Sequence, residues 1–152
     1  LPALGAGSLV AVQGASFIAA LMVLGPVVGR MGPRATVLGG GALAVLAMLQ
    51  LALGQHMAWL WVGGALLGAC LGLLQIHTLT QFAQVGARLG RGRVSGLSAL
   101  AGPSGGLVGG LLGGTLGAMV GLQTVFLLFV PVFTALGWRA YRQPVRAQMI
   151  SA

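Results

Sequence analysis

The chain contains no aspartate and no glutamate. No other feature restricts its fold as sharply. About a quarter of the residues in a soluble domain are charged, and they cover its water-facing surface. Here charged residues make up 5% of 152 positions, all eight are arginine, and hydrophobic residues reach 57%. Eight charges cannot clothe a domain of this size. The outer surface must therefore face an apolar medium, and a lipid bilayer is the one that suits it. Length then sets a number of membrane crossings rather than a number of domains.

A helix needs ~20 largely apolar residues to cross ~30 Å of hydrocarbon. Five continuous runs approach this length, over about 8–28, 36–53, 58–81, 94–120 and 122–138, and residues 139–152 follow as a basic tail. The runs are long and do not alternate, which argues against membrane strands. The fold predicted is an all-α integral membrane bundle of five transmembrane helices, multi-pass and forming a single membrane domain.

The arginines order these runs. Arg30 and Arg34 follow the first, Arg88, Arg91 and Arg93 the third, and Arg139, Arg142 and Arg146 the fifth. The other connections, Gly54-Gln55-His56-Met57 and Gly121, carry none. On an alternating five-span path every arginine thus falls on one side. Basic residues are retained on the cytoplasmic side, so the N-terminus is expected outside and the C-terminus in the cytoplasm. Trp59 and Trp61 at one end of the third run, with Trp138 and Tyr141 at the end of the fifth, sit where amphipathic aromatics favour the headgroup level.

Several function classes drop out. A net charge of +8 would raise nucleic acid as a partner, but the arginines lie in short clusters between apolar runs, with no basic stripe and no aromatic ladder. Cys70 stands alone in an apolar run and reads as a packed small residue. No His/Cys cluster suggests a metal, and no Walker loop or dinucleotide fingerprint suggests a cofactor. Without a carboxylate there is no Ser/His/Asp set and no acid pair, so an enzyme is not expected. The opening Leu1-Pro2-Ala3-Leu4 has neither an initiator Met nor a positive region, so it does not resemble a signal peptide. The chain is expected to begin within a longer protein.

One connection has a pattern of its own, Gly25-Pro26-Val27-Val28-Gly29-Arg30-Met31-Gly32-Pro33-Arg34. Glycine lets helix ends approach closely, and arginine can bridge to carbonyls at a helix C-terminus, where the dipole is negative. Such a loop could act as a latch. Its spacing resembles the signature loop of the major facilitator superfamily, G-x-x-x-D-R-x-G-R-R, which joins the second and third helices and recurs in weaker form between the eighth and ninth. Gly25, Arg30, Gly32 and Arg34 match. Gly29 stands where the family has Asp, and Pro33 where it often has Arg, a departure that suits the second copy and removes the charge partner of Arg30.

The fourth run carries a second resemblance. Arg91-Gly92-Arg93-Val94-Ser95-Gly96 leads into Gly102-Pro103-Ser104-Gly105-Gly106, then Gly109-Gly110, Gly113-Gly114 and Gly117. Glycines four apart, among them Gly102, Gly106, Gly110 and Gly114, form a groove along one helix face that allows close packing in lipid. Together with Pro103 they suit either static packing or a sliding contact. This stretch is similar to the superfamily's eleventh helix, and Gly121-Leu122-Gln123-Thr124-Val125-Phe126 to the turn into its last. The resemblance implies that the five runs are helices eight to twelve, a partial bundle of a twelve-helix transporter whose N-terminal half lies outside this chain. Helices two to six are the alternative assignment, disfavoured by the short basic tail after the fifth run. A plasma membrane of the bacterial inner-membrane type is the location implied.

Polar residues at membrane depth usually face a bundle interior or a watery cavity. In the third run these are Gln75, His77 and Thr78, with Thr80, Gln81 and Gln84 nearer the interface; in the first they are Gln13 and Ser16. The resemblance implies that these two helices line a central pathway for a small solute of unknown identity. The expected partners are the bilayer, that solute and the N-terminal half. The alternative is a small scaffold or accessory subunit that packs through its glycine faces.

Overall fold

In the computed structural model, residues 3–142 are described. They form five helices: α1 (Ala3–Val28), α2 (Pro33–Leu53), α3 (Met57–Leu89), α4 (Arg91–Val120) and α5 (Leu122–Arg142). The tail beyond Arg142, with Arg146, lies outside the described residues. No strand occurs among those described.

The helix ends follow local chemistry. Pro33 opens α2, where a missing N–H costs nothing. Gly54 closes it, and its N–H donates to the Gln50 carbonyl. Gly90 and Gly121 are single-residue links with φ of 95° and 85°. That conformation strains any residue with a β-carbon, and each glycine N–H caps the preceding helix, on Gly86 and Gly117 respectively. Pro26, Pro103 and Pro131 lie inside helices, a tolerance common in membrane helices, whose neighbours re-satisfy the freed carbonyl. The Gly25–Arg34 segment is therefore not one loop. α1 continues through Pro26 to Val28, and only Gly29–Gly32 connect it to α2. A turn closes there through Arg30 and Met31 N–H groups on the Val27 carbonyl.

Packing is set by where side chains are absent. A Cβ on Gly64 would touch Leu9, one on Gly68 would meet Gln13, Ser16 and Phe17, and one on Gly72 would meet Phe17, Ala20 and Leu21. Residue numbers rise together along both helices, so α1 and α3 run parallel. Against α2 the order reverses, with Gly40 on Leu74 and Gly63 on Leu51, so α2 and α3 are antiparallel. Gly41 approaches Gly137 closely at the α2–α5 contact. The core lies along this α2–α3 seam, where Ala44, Ala47, Leu51, Cys70 and Leu73 are buried. Thr36, fully buried, satisfies its hydroxyl by donating to the Gly32 carbonyl.

Among the described residues, four helices contain a stretch long and apolar enough to span a membrane: Gly7–Val28, Pro33–Leu53, Met57–Gln84 and Leu122–Arg139. α4 is not among them, since ten glycines dilute its hydropathy. Large apolar side chains cover the outside, including Met22, Leu97, Leu107, Leu111 and Leu136. An apolar surface of that extent is a hazard in water and ordinary in lipid. The protein is an all-α integral membrane bundle.

Candidate functional site

The polar residues expected to share a cavity are distributed by helical geometry. Successive residues on a helix turn by ~100°. Gln75 therefore continues the Gly64–Gly68–Gly72 stripe that faces α1, whereas His77 lies two turns beyond Cys70 on the side that faces α2. Gln75 and Thr78 are exposed and His77 is half-buried. Thr78 spends its hydroxyl on the Leu74 carbonyl one turn back, the usual way a threonine is satisfied inside a helix. Three polar groups thus cluster at one level of α3 without sharing one face.

Gln13 and Ser16 lie at a different level. Both belong to the stripe of α1 that meets Gly68, with the Gln13 carbonyl and the Ser16 Cβ against the glycine. Gln75 is two turns further along the parallel helix, about 10 Å at 1.5 Å per residue. The structure places Gln13 and Ser16 in a helix crossing and does not bring them to the Gln75 level.

In the signature loop, Arg30 and Arg34 are exposed. The Arg30 guanidinium makes no hydrogen bond or ion pair with another described residue. Gly29 contacts only backbone of the preceding turn, and neither Gly25 nor Gly32 has anything close to where a Cβ would sit. A latch from Arg30 to a helix end is not formed within these residues.

The α4 glycines are open in the same sense. A Cβ on Gly102, Gly106, Gly110 or Gly114 would meet nothing within 4 Å, and Pro103 is exposed. The glycines that pack tightly between helices, among the described residues, lie on α3 at Gly63, Gly64, Gly68 and Gly72 and on α2 at Gly40. The α3 signal, Gly64, Gly68 and Gly72 at spacing four, is as plain in the sequence as the run in α4, but that longer run overshadows it.

Two parallel helices locked at glycines, an antiparallel helix on another face of α3 and a glycine-rich fourth helix left open form a partial membrane bundle. Compared with protein-family models, residues 1–149 match the Major Facilitator Superfamily. The chain belongs to the major facilitator superfamily. No curated protein and no solved structure matches it.

Membership changes how the polar groups are understood. The superfamily consists of transporters rather than enzymes, so His77, Gln75 and Thr78 are weighed as contacts for a solute or a neighbouring helix, not as a catalytic set. It also gives the Gly25–Arg34 segment a context. With no Asp or Glu in the chain, Arg30 has no carboxylate side chain to pair with, and any partner must be a backbone carbonyl or a group supplied from elsewhere.

Proposed function

We propose that this chain is the C-terminal part, helices eight to twelve, of a twelve-helix secondary transporter that moves a small solute by alternating access between two halves. The observation that carries this reading is the family match across residues 1–149. The open glycine face of α4 supports it, because such a face in lipid is suited to another helix, and an N-terminal half would supply one. The parallel pairing of α1 with α3 supports an alternating path. On that path Arg30, Arg34, Arg88, Arg91, Arg93, Arg139 and Arg142 gather at the cytoplasmic side, with the N-terminus of this chain outside. Gln75, Thr78 and His77 are the best-placed solute contacts, at the level where α3 is polar and partly exposed. With no carboxylate present, a proton-coupled cycle would rely on His77 or on the other half. A bacterial inner membrane is the setting proposed.

The same open face also suits a scaffold that packs against partner helices. Solvent access separates the two. In the Cys70→Ala background, single Gln75→Cys and His77→Cys variants of the membrane-embedded protein are treated with a membrane-impermeant maleimide. Labelling at Gln75 or His77 supports an aqueous pathway. Silence at both, with labelling of a Gln55→Cys control, favours the scaffold.

A further inference from the structure

The end of the bundle opposite the Gly29–Gly32 and Gly90 links holds a cavity of about 330 Å³ where α2 gives way to α3. Gln50 and Leu53 line it from the last turn of α2, Gly54, Gln55 and His56 from the connection, and Trp59 from the first turn of α3. The connection is drawn tightly over α3. A Cβ on Gly54 would lie 2.8 Å from the Gln50 carbonyl, 3.1 Å from Leu60 Cδ2 and 3.5 Å from Trp59 Cβ.

The wall mixes apolar and polar surface, and its polar side chains have no partner among the described residues. The side chains of Gln50, Gln55, His56 and Trp59 make no hydrogen bond to another described residue. By contrast the neighbouring Trp61 donates its Nε1–H to Ser8 Oγ at 3.2 Å. Two primary amides, an imidazole and an indole together present more N–H donors than acceptors. No carboxylate side chain exists in the chain to balance a cation. The matching ligand is rich in acceptor oxygens and poor in donors.

Depth narrows the ligand further. Trp59 and Trp61 are 56% and 43% exposed at the start of a membrane helix, the level at which tryptophans meet lipid headgroups. The acceptor-rich group abundant at that level is the phosphodiester. The volume is at the small end of the ~300–1,000 Å³ range of ligand pockets, enough for a headgroup with the acyl chains left outside along exposed Leu53.

We propose that Gln50, Gln55, His56 and Trp59 form a phosphodiester-binding pocket occupied by a membrane phospholipid headgroup. This site is independent of the transport pathway and stands whether or not the chain transports.

Trp59 itself supplies the readout. In the Trp61→Phe/Trp138→Phe background it is the sole indole, so lipid bound near the arginines at the other end does not register. The protein, stripped of lipid in mild detergent, is titrated with phosphatidylglycerol or with diacylglycerol of the same chains. The expected result is a saturable change in Trp59 emission with phosphatidylglycerol and none with diacylglycerol. In Gln50→Leu/His56→Leu the half-saturation point should weaken about tenfold, as befits the loss of two hydrogen bonds. Protection of Cys70 from maleimide shows that the variant remains folded. Equal responses to the two lipids, or an unchanged half-saturation in the folded double variant, overturns the proposal. Glycerol 3-phosphate should not displace the lipid. Displacement by it at micromolar concentration would keep the phosphate chemistry but overturn the lipid as its source.

Discussion

The backbone carbonyl of Gln13 on α1 occupies the space in which a side chain on Gly68 of α3 would begin. Two parallel helices are thus held together by the absence of a single carbon. Phe17 N and Ser16 Cβ, each 3.0 Å from the same point, close the remaining sides, so no rotamer change could make room. Gly68→Ala should force the helices apart and destabilise the bundle by about 1–3 kcal/mol, as overpacking does. Gly72→Ala should follow, since its Cβ would lie 2.7 Å from Ala20 Cβ and 3.0 Å from the Phe17 carbonyl. Unfolding by a graded denaturing detergent measures both. A midpoint for Gly68→Ala equal to that of the wild type would mean that the crossing is loose enough to admit the extra carbon.

Cys70 offers a second test on the other side of α3. It is 1% exposed, and its thiol donates to the Gly40 carbonyl of α2 at 3.2 Å. Cys70→Ser keeps a donor of similar size and should change stability by under about 1 kcal/mol. Cys70→Leu adds volume beside Gly40 and should cost about 1–3 kcal/mol. The native thiol is its own probe, and maleimide should label it only as the bundle opens. Rapid labelling of the folded protein would show that the α2–α3 seam admits solvent.

The fold was legible because its determinants are local. Missing acids and long apolar runs demand membrane helices, and Gly121 announced its turn through the shortness of the gap it fills. The α1–α2 connection was less so. The first run reads to residue 28, and α1 does end at Val28, but the Gly25–Arg34 pattern also reads as a connection, whereas only Gly29–Gly32 lie between the helices. The candidate site was harder still. Polarity singled out Gln75, His77 and Thr78, but which of them meets α1, α2 or neither depends on the rotation of α3. That rotation is set by Gly64, Gly68 and Gly72, whose neighbours are far away in sequence. Polarity and the family resemblance group Gln13 and Ser16 with Gln75, but the first two lie at the Gly68 crossing rather than at the Gln75 level.

Arg30 and Arg142 provide a third comparison. Arg142 lies 4.8 Å over the Trp138 ring in the last turn of α5, where a cation suits both the ring and the helix end. Arg30 is exposed in a turn, and its guanidinium pairs with no other described residue. If Arg30 reaches a carbonyl or a charge outside this chain, Arg30→Ala should lower solute uptake by the intact transporter roughly tenfold. Arg142→Ala should lower it less than twofold, because lost stacking at an exposed end matters little. Uptake into vesicles, normalised to protein inserted, measures both. Equal and negligible effects would remove the latch role.

The last prediction sets the glycines of α4 against those of α3. Gly106 and Gly110 have nothing within 4 Å of an added Cβ, so they pack against none of the described residues. Helix propensity makes glycine about 1 kcal/mol poorer than alanine in a helix interior. A sequence that keeps ten glycines in one helix forgoes that stability, and close approach of another helix is the gain that would offset it. Gly106→Leu/Gly110→Leu should therefore leave folding of this chain intact or slightly improved, with Cys70 as protected as before. In the intact transporter the same pair should abolish uptake, because the added side chains would fill the groove that a neighbouring helix enters. Loss of Cys70 protection would place an unseen contact inside the chain. Full uptake by the folded double variant would mean that the α4 groove faces lipid alone, and the case for a docked N-terminal half would then rest on the family match without support from α4.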